Sequence, residues 1–180
     1  MQEIAEKQNK AVELYDNENF EEAYVAFFSL AEKGDVDSQK TIANMLIHGT
    51  GTAKDEKSGY EWYLRAAELG DAEAQYWTAF NDFENNNTEK GLKFLNLSMD
   101  SGYADAAYWL GRVYLYGFYS VKIDAPKAQE FFKIAIRKRV NGAQRMLFEA
   151  KVKEVGRIRA LIYCFTNRKV FISDVGVPKI

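Results

Sequence analysis

Residues 55–70 read DEKSGYEWYLRAAELG and residues 124–139 read DAPKAQEFFKIAIRKR. Laid over one another, both begin on Asp and carry a small residue at the fifth place (Gly59, Ala128). Two rings follow at the eighth and ninth places (Trp62 and Tyr63, Phe131 and Phe132), then Ala at the twelfth (Ala66, Ala135). Between these segments the run 97–111, LSMDSGYADAAYWLG, echoes 66–79, AAELGDAEAQYWTA. A glycine closes successive units at Gly34, Gly70 and Gly102, spaced 36 and 32 residues, and Arg139 takes that place 37 residues further on. A period in the thirties without strand-like alternation is the mark of stacked helical hairpins. The predicted fold class is all-α, an αα-hairpin superhelix. Repeat solenoids present extended surfaces to partners, so the pattern also points to binding.

Each unit reads as helix A, a loop and helix B. In the unit that starts at Ala104, helix A is predicted over Ala104–Tyr116, with Ala106, Leu110, Val113 and Tyr114 at helical spacing. Gly117 supplies a left-handed stop, Asp124 an N-cap, and Pro126 suits the first turn of helix B. The unit before Gly70 has the same parts: Ala43 and Leu46, Gly49 and Gly51 in the loop, Asp55 as cap. Small residues at Ala43, Ala79 and Gly111 recur at one helix A position, where a neighbouring helix must come close. The unit from Ala72 is shortened. Its segment Glu84–Thr88 lacks the Gly-x-Gly turn, so a tighter connection is expected, with helix B starting near Thr88 or Glu89. We expect one repeat domain over 1–180, with hairpins at about 2–34, 36–70, 72–102 and 104–139. Capping helices are expected within 141–167, the first from Ala143 to about Val155 and the last over Arg157–Phe165, followed by a tail at 168–180.

Composition agrees with a folded chain. The 180 residues are 47% hydrophobic and 14% aromatic with only two prolines, which argues against disorder. No run of ~18 apolar residues suggests a membrane span. The polar, acidic start and the single cysteine, Cys164, give the expectation of a cytoplasmic chain without an export signal. The net charge of −2 hides an asymmetry: residues 1–36 sum to −6 and residues 137–160 to +6. The acidic half would repel a long polyanion, which argues against nucleic acid as partner.

The run Leu110-Gly111-x-x-Tyr114-x-x-Gly117, followed by Asp124-x-x-Lys127-Ala128-x-x-Phe131-Phe132, resembles the Sel1-like repeat, a subgroup of the tetratricopeptide-like solenoids. Asp55-x-x-Ser58-Gly59-x-x-Trp62-Tyr63-x-x-Ala66-Ala67-x-x-Gly70 is similar to it, Ala72–Gly102 is a degenerate third copy, and Asn19-Phe20-Glu21-Glu22-Ala23 resembles an ordinary tetratricopeptide hairpin. The resemblance covers about residues 10–150. It implies a right-handed superhelix with helix A lining the concave side. It also implies work as an adaptor or scaffold, or as a bacterial immunity protein that blocks a toxin.

Catalytic constellations are missing from the sequence. There is no GxxxxGK[ST] loop, HExxH helix or GxSxG elbow. His48 is the one histidine, which excludes His-based metal clusters; at a helix A end it is expected to hydrogen-bond the last carbonyls. Cys164, in LIYCF, reads as a small buried hydrophobe. Gly49-Thr50-Gly51-Thr52 reads as an inter-helix turn rather than a phosphate loop. No catalytic residue, metal ligand or cofactor is expected.

Trp62, Tyr63, Tyr114, Phe131 and Phe132 occupy repeat-consensus places and are expected in the core. Counted from the recurrent small residue, a second face of helix A holds Lys40, Asn44 and Ile47, then Tyr76, Phe80 and Phe83, then Tyr108, Arg112 and Leu115. Arg145 and Glu149 continue the row. Its Tyr and Arg content is that of interface hot spots, so it is the expected partner-binding groove; the alternative is that some of these aromatics fill the inner core. The expected function is a non-catalytic module that holds a partner protein or peptide in its concave groove, an immunity protein with its toxin being one form. An adaptor or scaffold of a signalling or secretion assembly is the alternative. An enzyme using an unrecognised carboxylate site is the alternative of another class.

Overall fold

The computed structural model of the protein describes residues 2–156, and the chain divides into two compact units after Glu84. Among the described residues there are nine α-helices, one short 3₁₀ turn and no strand. The first unit holds α1 (Gln2–Asp16), α2 (Phe20–Ala31), α3 (Val36–His48), α4 (Glu56–Glu68) and α5 (Ala72–Glu84). The second holds α6 (Thr88–Asp100), α7 (Ala104–Tyr116), the 3₁₀ turn Phe118–Ser120, α8 (Ala125–Arg137) and α9 (Ala143–Val155). Within each unit every helix packs on the next in sequence, the arrangement of an all-α helical solenoid. The expected helix over Arg157–Phe165, the tail and Cys164 lie outside the described residues.

Local chemistry sets the helix ends. The carboxylates of Asp35, Asp55, Asp71 and Asp124 accept from the backbone N–H of Ser38, Ser58, Ala74 and Lys127, at 2.9, 3.1, 2.8 and 2.9 Å. Each satisfies a donor that the first turn leaves without a partner. The helix B ends close through paired backbone bonds, Gly70 N–H to Ala67 O and Asp71 N–H to Ala66 O in one case, Arg139 N–H to Ile136 O and Val140 N–H to Ala135 O in another. Arg139 therefore makes the turn that glycine makes elsewhere, at φ 61°. A side chain in that left-handed region is strained, so Arg139→Gly is expected to raise stability by about 0.5–1 kcal/mol. A thermal melt that falls would contradict this account. In the shortened unit only residues 85–87 separate α5 from α6, which begins at Thr88 as the sequence predicts.

The core follows the repeat stripe with two corrections. Trp62, Tyr63 and Phe132 are buried, and in the second unit Phe132 packs with Leu115, Ala128, Met146, Leu147 and Ala150. Phe131 and Tyr114, expected in the same core, are only half-buried. Their rings stack on each other at 5.6 Å and 17°, with the Lys127 ammonium 4.1 Å from the Tyr114 ring centre. Phe132 owes its closure to Met146, Leu147 and Ala150 of α9, which pack on it. His48 is also placed differently in role: Met45 O, in the last turn of α3, is taken by the N–H groups of Gly49 and Thr50, which leaves the exposed imidazole no part in capping.

Candidate functional site

In the first unit the face runs along α3 and α5. The Lys40 ammonium lies 3.1 Å from Asp71, 3.3 Å from Asp37 and 3.4 Å from Glu73. Partial burial works against its charge, but the hydrogen bonds and fields of Asp71, Asp37 and Glu73 outweigh this and raise its pKa above the ordinary lysine value. One turn on, Asn44 Oδ1 accepts from the Tyr63 hydroxyl at 2.9 Å. Burial, with the Glu73 charge added, pushes the Tyr63 pKa well above the usual phenol range. The Trp77 ring sits 6.3 Å from that of Tyr63 and 6.4 Å from that of Phe80, and 39% of the residue is open to solvent.

In the second unit the face runs along α7, the 3₁₀ turn and α9. The Arg112 guanidinium lies 4.2 Å from the Trp109 ring centre, 5.7 Å from Phe118 and 5.9 Å from Tyr108. The Tyr116 ring is 5.3 Å from Phe118, and its hydroxyl donates to Glu149 Oε1 at 2.8 Å. Lys153 donates to Leu115 O at 2.7 Å, its ammonium 5.8 Å from the Tyr116 ring.

Burial, the hydrogen bond to Glu149 and the charge of that carboxylate hold the Tyr116 pKa up at about 12, against a small opposing pull from Arg112. The folded pKa is above the unfolded one, so the stability it contributes is complete below pH ~10 and is lost as pH rises through about 12. Glu149→Gln should bring this hydroxyl to a lower pKa, followed through the isotope-labelled tyrosine Cζ resonances. An unmoved Tyr116 titration would show that Glu149 does not act on it.

The predicted row is therefore only partly an exposed face. Tyr76 is 8% exposed, Phe83 3% and Leu115 fully buried, so these three belong to the interior. Leu115 joins the Phe132 cluster because α8 and α9 both close over it. Ile47 turns toward α4, where a Cβ on Gly59 would meet its Cγ1 at 2.6 Å. Lys40, Asn44, Phe80, Tyr108, Arg112, Arg145 and Glu149 keep exposed or half-exposed places. Trp77, Trp109, Tyr116, Phe118 and Lys153 also stand on these faces and are not in the expected row. Two of them lay within reach of the sequence, since Tyr116 is a full turn beyond Arg112 and Lys153 a full turn beyond Glu149; the expected row stepped three residues from Arg112 where the face steps four.

Residues 38–71 and 104–139 each match the family model of the Sel1 repeat. The chain carries two Sel1 repeats. Its fold superposes on a Sel1 repeat protein from Oxalobacter formigenes with a TM-score of 0.74 at 21% identity, covering 92% of this chain and 72% of that one. It also superposes on c5321, a protective antigen of uropathogenic Escherichia coli strains with an SLR fold, with a TM-score of 0.68 at 22% identity. That match covers 84% of this chain and a smaller part, 33%, of the other. Immunity protein Pa5087 from Pseudomonas aeruginosa gives a TM-score of only 0.39 at 15% identity, too loose a likeness to bear on function. No curated protein matches in sequence. Sel1 repeats generally mediate protein–protein interaction, and their fold is typically a non-enzymatic scaffold. Among the described residues no helix of this Sel1-like chain is long and apolar enough to cross a membrane, and no cluster of His, Cys, Asp and Glu could hold a metal ion.

Proposed function

We propose that this Sel1-like chain is a non-catalytic module that binds a partner protein through the helix A faces of its units, its hairpins acting as one repeat domain. The observation that carries this reading is the composition of those faces: a solvent-open Trp77 beside Tyr63 and Phe80, and Arg112 among Tyr108, Trp109 and Phe118. Tryptophan, tyrosine and arginine are the residues that dominate binding energy at interfaces. The single cysteine suits work in the cytoplasm.

The test is capture of the partner by tagged protein in its native cells, repeated with Trp77→Ala and with the Tyr108→Ala/Arg112→Ala double variant. Each should retain a helical circular dichroism spectrum and weaken partner binding by more than ~2 kcal/mol. An unchanged dissociation constant in both would remove these faces from the interface. Co-expression with the product of the adjacent reading frame separates the possible roles. Protection from a toxic product, lost in the double variant, is the result expected of an immunity protein; a captured assembly without toxicity is that of an adaptor or scaffold.

A further inference from the structure

Each unit carries a cation on its helix A row, and the two are treated in opposite ways. Lys40 is ringed by the three carboxylates of Asp37, Asp71 and Glu73, so its charge is spent inside the fold. Arg112 lies against three aromatic rings, and among the described residues no carboxylate comes within ion-pair distance of it. Rings that cover the guanidinium plane hold it in place and leave its N–H edges available, and this group stays charged at any physiological pH. Glu149, an acid on this face, already accepts from Tyr116. Arg145 stands exposed one turn before Glu149 on α9, and Lys153 one turn after it. Asp105, two turns before Arg112 on α7, is the second acid of this row and lies outside ion-pair distance of Arg112, so three cations share the face with two carboxylates, of which Glu149 is engaged by Tyr116.

We propose that the α7–α9 face receives an acidic segment of the partner protein, with an aspartate or glutamate side chain taking the open edge of Arg112 as a forked ion pair. The inference rests on the protein-binding reading above and names the chemistry of the partner. The aromatic walls exclude water from the pair, and the fork selects a planar carboxylate over a diffuse negative field. Arg145 and Lys153 add a positive surround that favours further acidic residues on either side.

The full chain, isotope-labelled, would be titrated to millimolar concentration with three probes. These are a capped peptide alternating glutamate and leucine, its glutamine–leucine counterpart, and a single-stranded oligonucleotide of the same charge as the first. The acidic peptide is expected to shift α7 and α9 resonances and to bind at least tenfold more tightly than the glutamine peptide. Arg112→Gln should lose at least tenfold of that affinity and Arg112→Lys severalfold, because an ammonium cannot fork. Lys33→Gln, which removes an exposed charge from the first unit, should change nothing. Should Arg112→Gln melt early, the exposed Arg145→Gln carries the test with an expected loss of about threefold.

Equal binding of the two peptides, no binding of either, or indifference to Arg112→Gln would overturn the proposal. Tighter binding of the oligonucleotide through Arg112 would replace it with a nucleic-acid site. A natural partner that needs Trp77 and Tyr108 but is insensitive to Arg112→Gln would overturn the acidic contact and leave the protein-binding reading standing.

Discussion

Phe132→Ala is expected to lower the stability of the protein by ~3–5 kcal/mol, read as a fall in the urea midpoint at constant slope. The ring is fully buried among Leu115, Ala128, Met146, Leu147 and Ala150, and lies edge-on to Tyr108 at 6.0 Å. Three helices, α7, α8 and α9, meet on it, so the cavity left by its removal cannot close by the shift of any one of them. Phe131→Ala, one residue away, should cost only about 1–2 kcal/mol, since that ring is already partly open to solvent and stacks on the equally half-buried Tyr114. The packing also predicts a coupling. A Cβ on Gly111 would lie 2.5 Å from Phe132 Cε1, so Gly111→Ala alone should destabilise by ~1–3 kcal/mol. In the Phe132→Ala background the same methyl enters vacated space, and its cost should fall markedly. Equal losses for Phe131→Ala and Phe132→Ala would contradict this description of the core.

Gly51→Ala is expected to cost ~3 kcal/mol or more. Gly51 sits at φ 68°, and a Cβ there would lie 2.1 Å from Phe20 O and 2.4 Å from Phe20 C. Both obstacles are backbone atoms at the start of α2, so no rotamer change relieves them. The loop between α3 and α4 would have to lift away from α2. Gly49→Ala separates the two causes. Its φ of 72° carries the same left-handed strain, but the nearest atom to its Cβ is Lys54 Cβ at 3.3 Å, and a loss of about 1–2 kcal/mol is expected. If thermal melts show the two variants equally impaired, the close approach to Phe20 is not what fixes Gly51.

The difference between these two glycines marks the reach of sequence reading for this fold. Gly49-Thr50-Gly51-Thr52 was legible as an inter-helix turn, because a turn is a property of adjacent residues. That Gly51 touches the backbone of Phe20 follows from how α2 and the loop come together, and no local pattern records it. The same division holds on the helix A faces. Arg112 and Tyr108 were legible because they lie a full turn apart on α7. Leu115 and Tyr116, adjacent in sequence, point about 100° apart around the helix, and choosing the exposed one required knowing where α8 and α9 close over α7. Tyr76 and Trp77 pose the same choice on α5: the residue three before the recurrent Ala79 proved to be 8% exposed, while its neighbour stands 39% open.

By itself, then, the sequence determined what depends on spacing along the chain: the helices, the Asp caps, the closing turns, the repeat and the membership that the repeat implies. Those features arise from hydrogen bonds and side-chain rows a few residues apart, and the period repeats them often enough to be read. Tertiary structure decided which rings are core and which are surface, that Phe131 is half-open and Leu115 closed, and that Lys40 is ringed by carboxylates while Arg112 stands among aromatic rings. Burial and ion pairing are set by groups some thirty residues away, as in the bonds of Lys40 to Glu73 and of Tyr116 to Glu149, and only the packed helices bring those groups together.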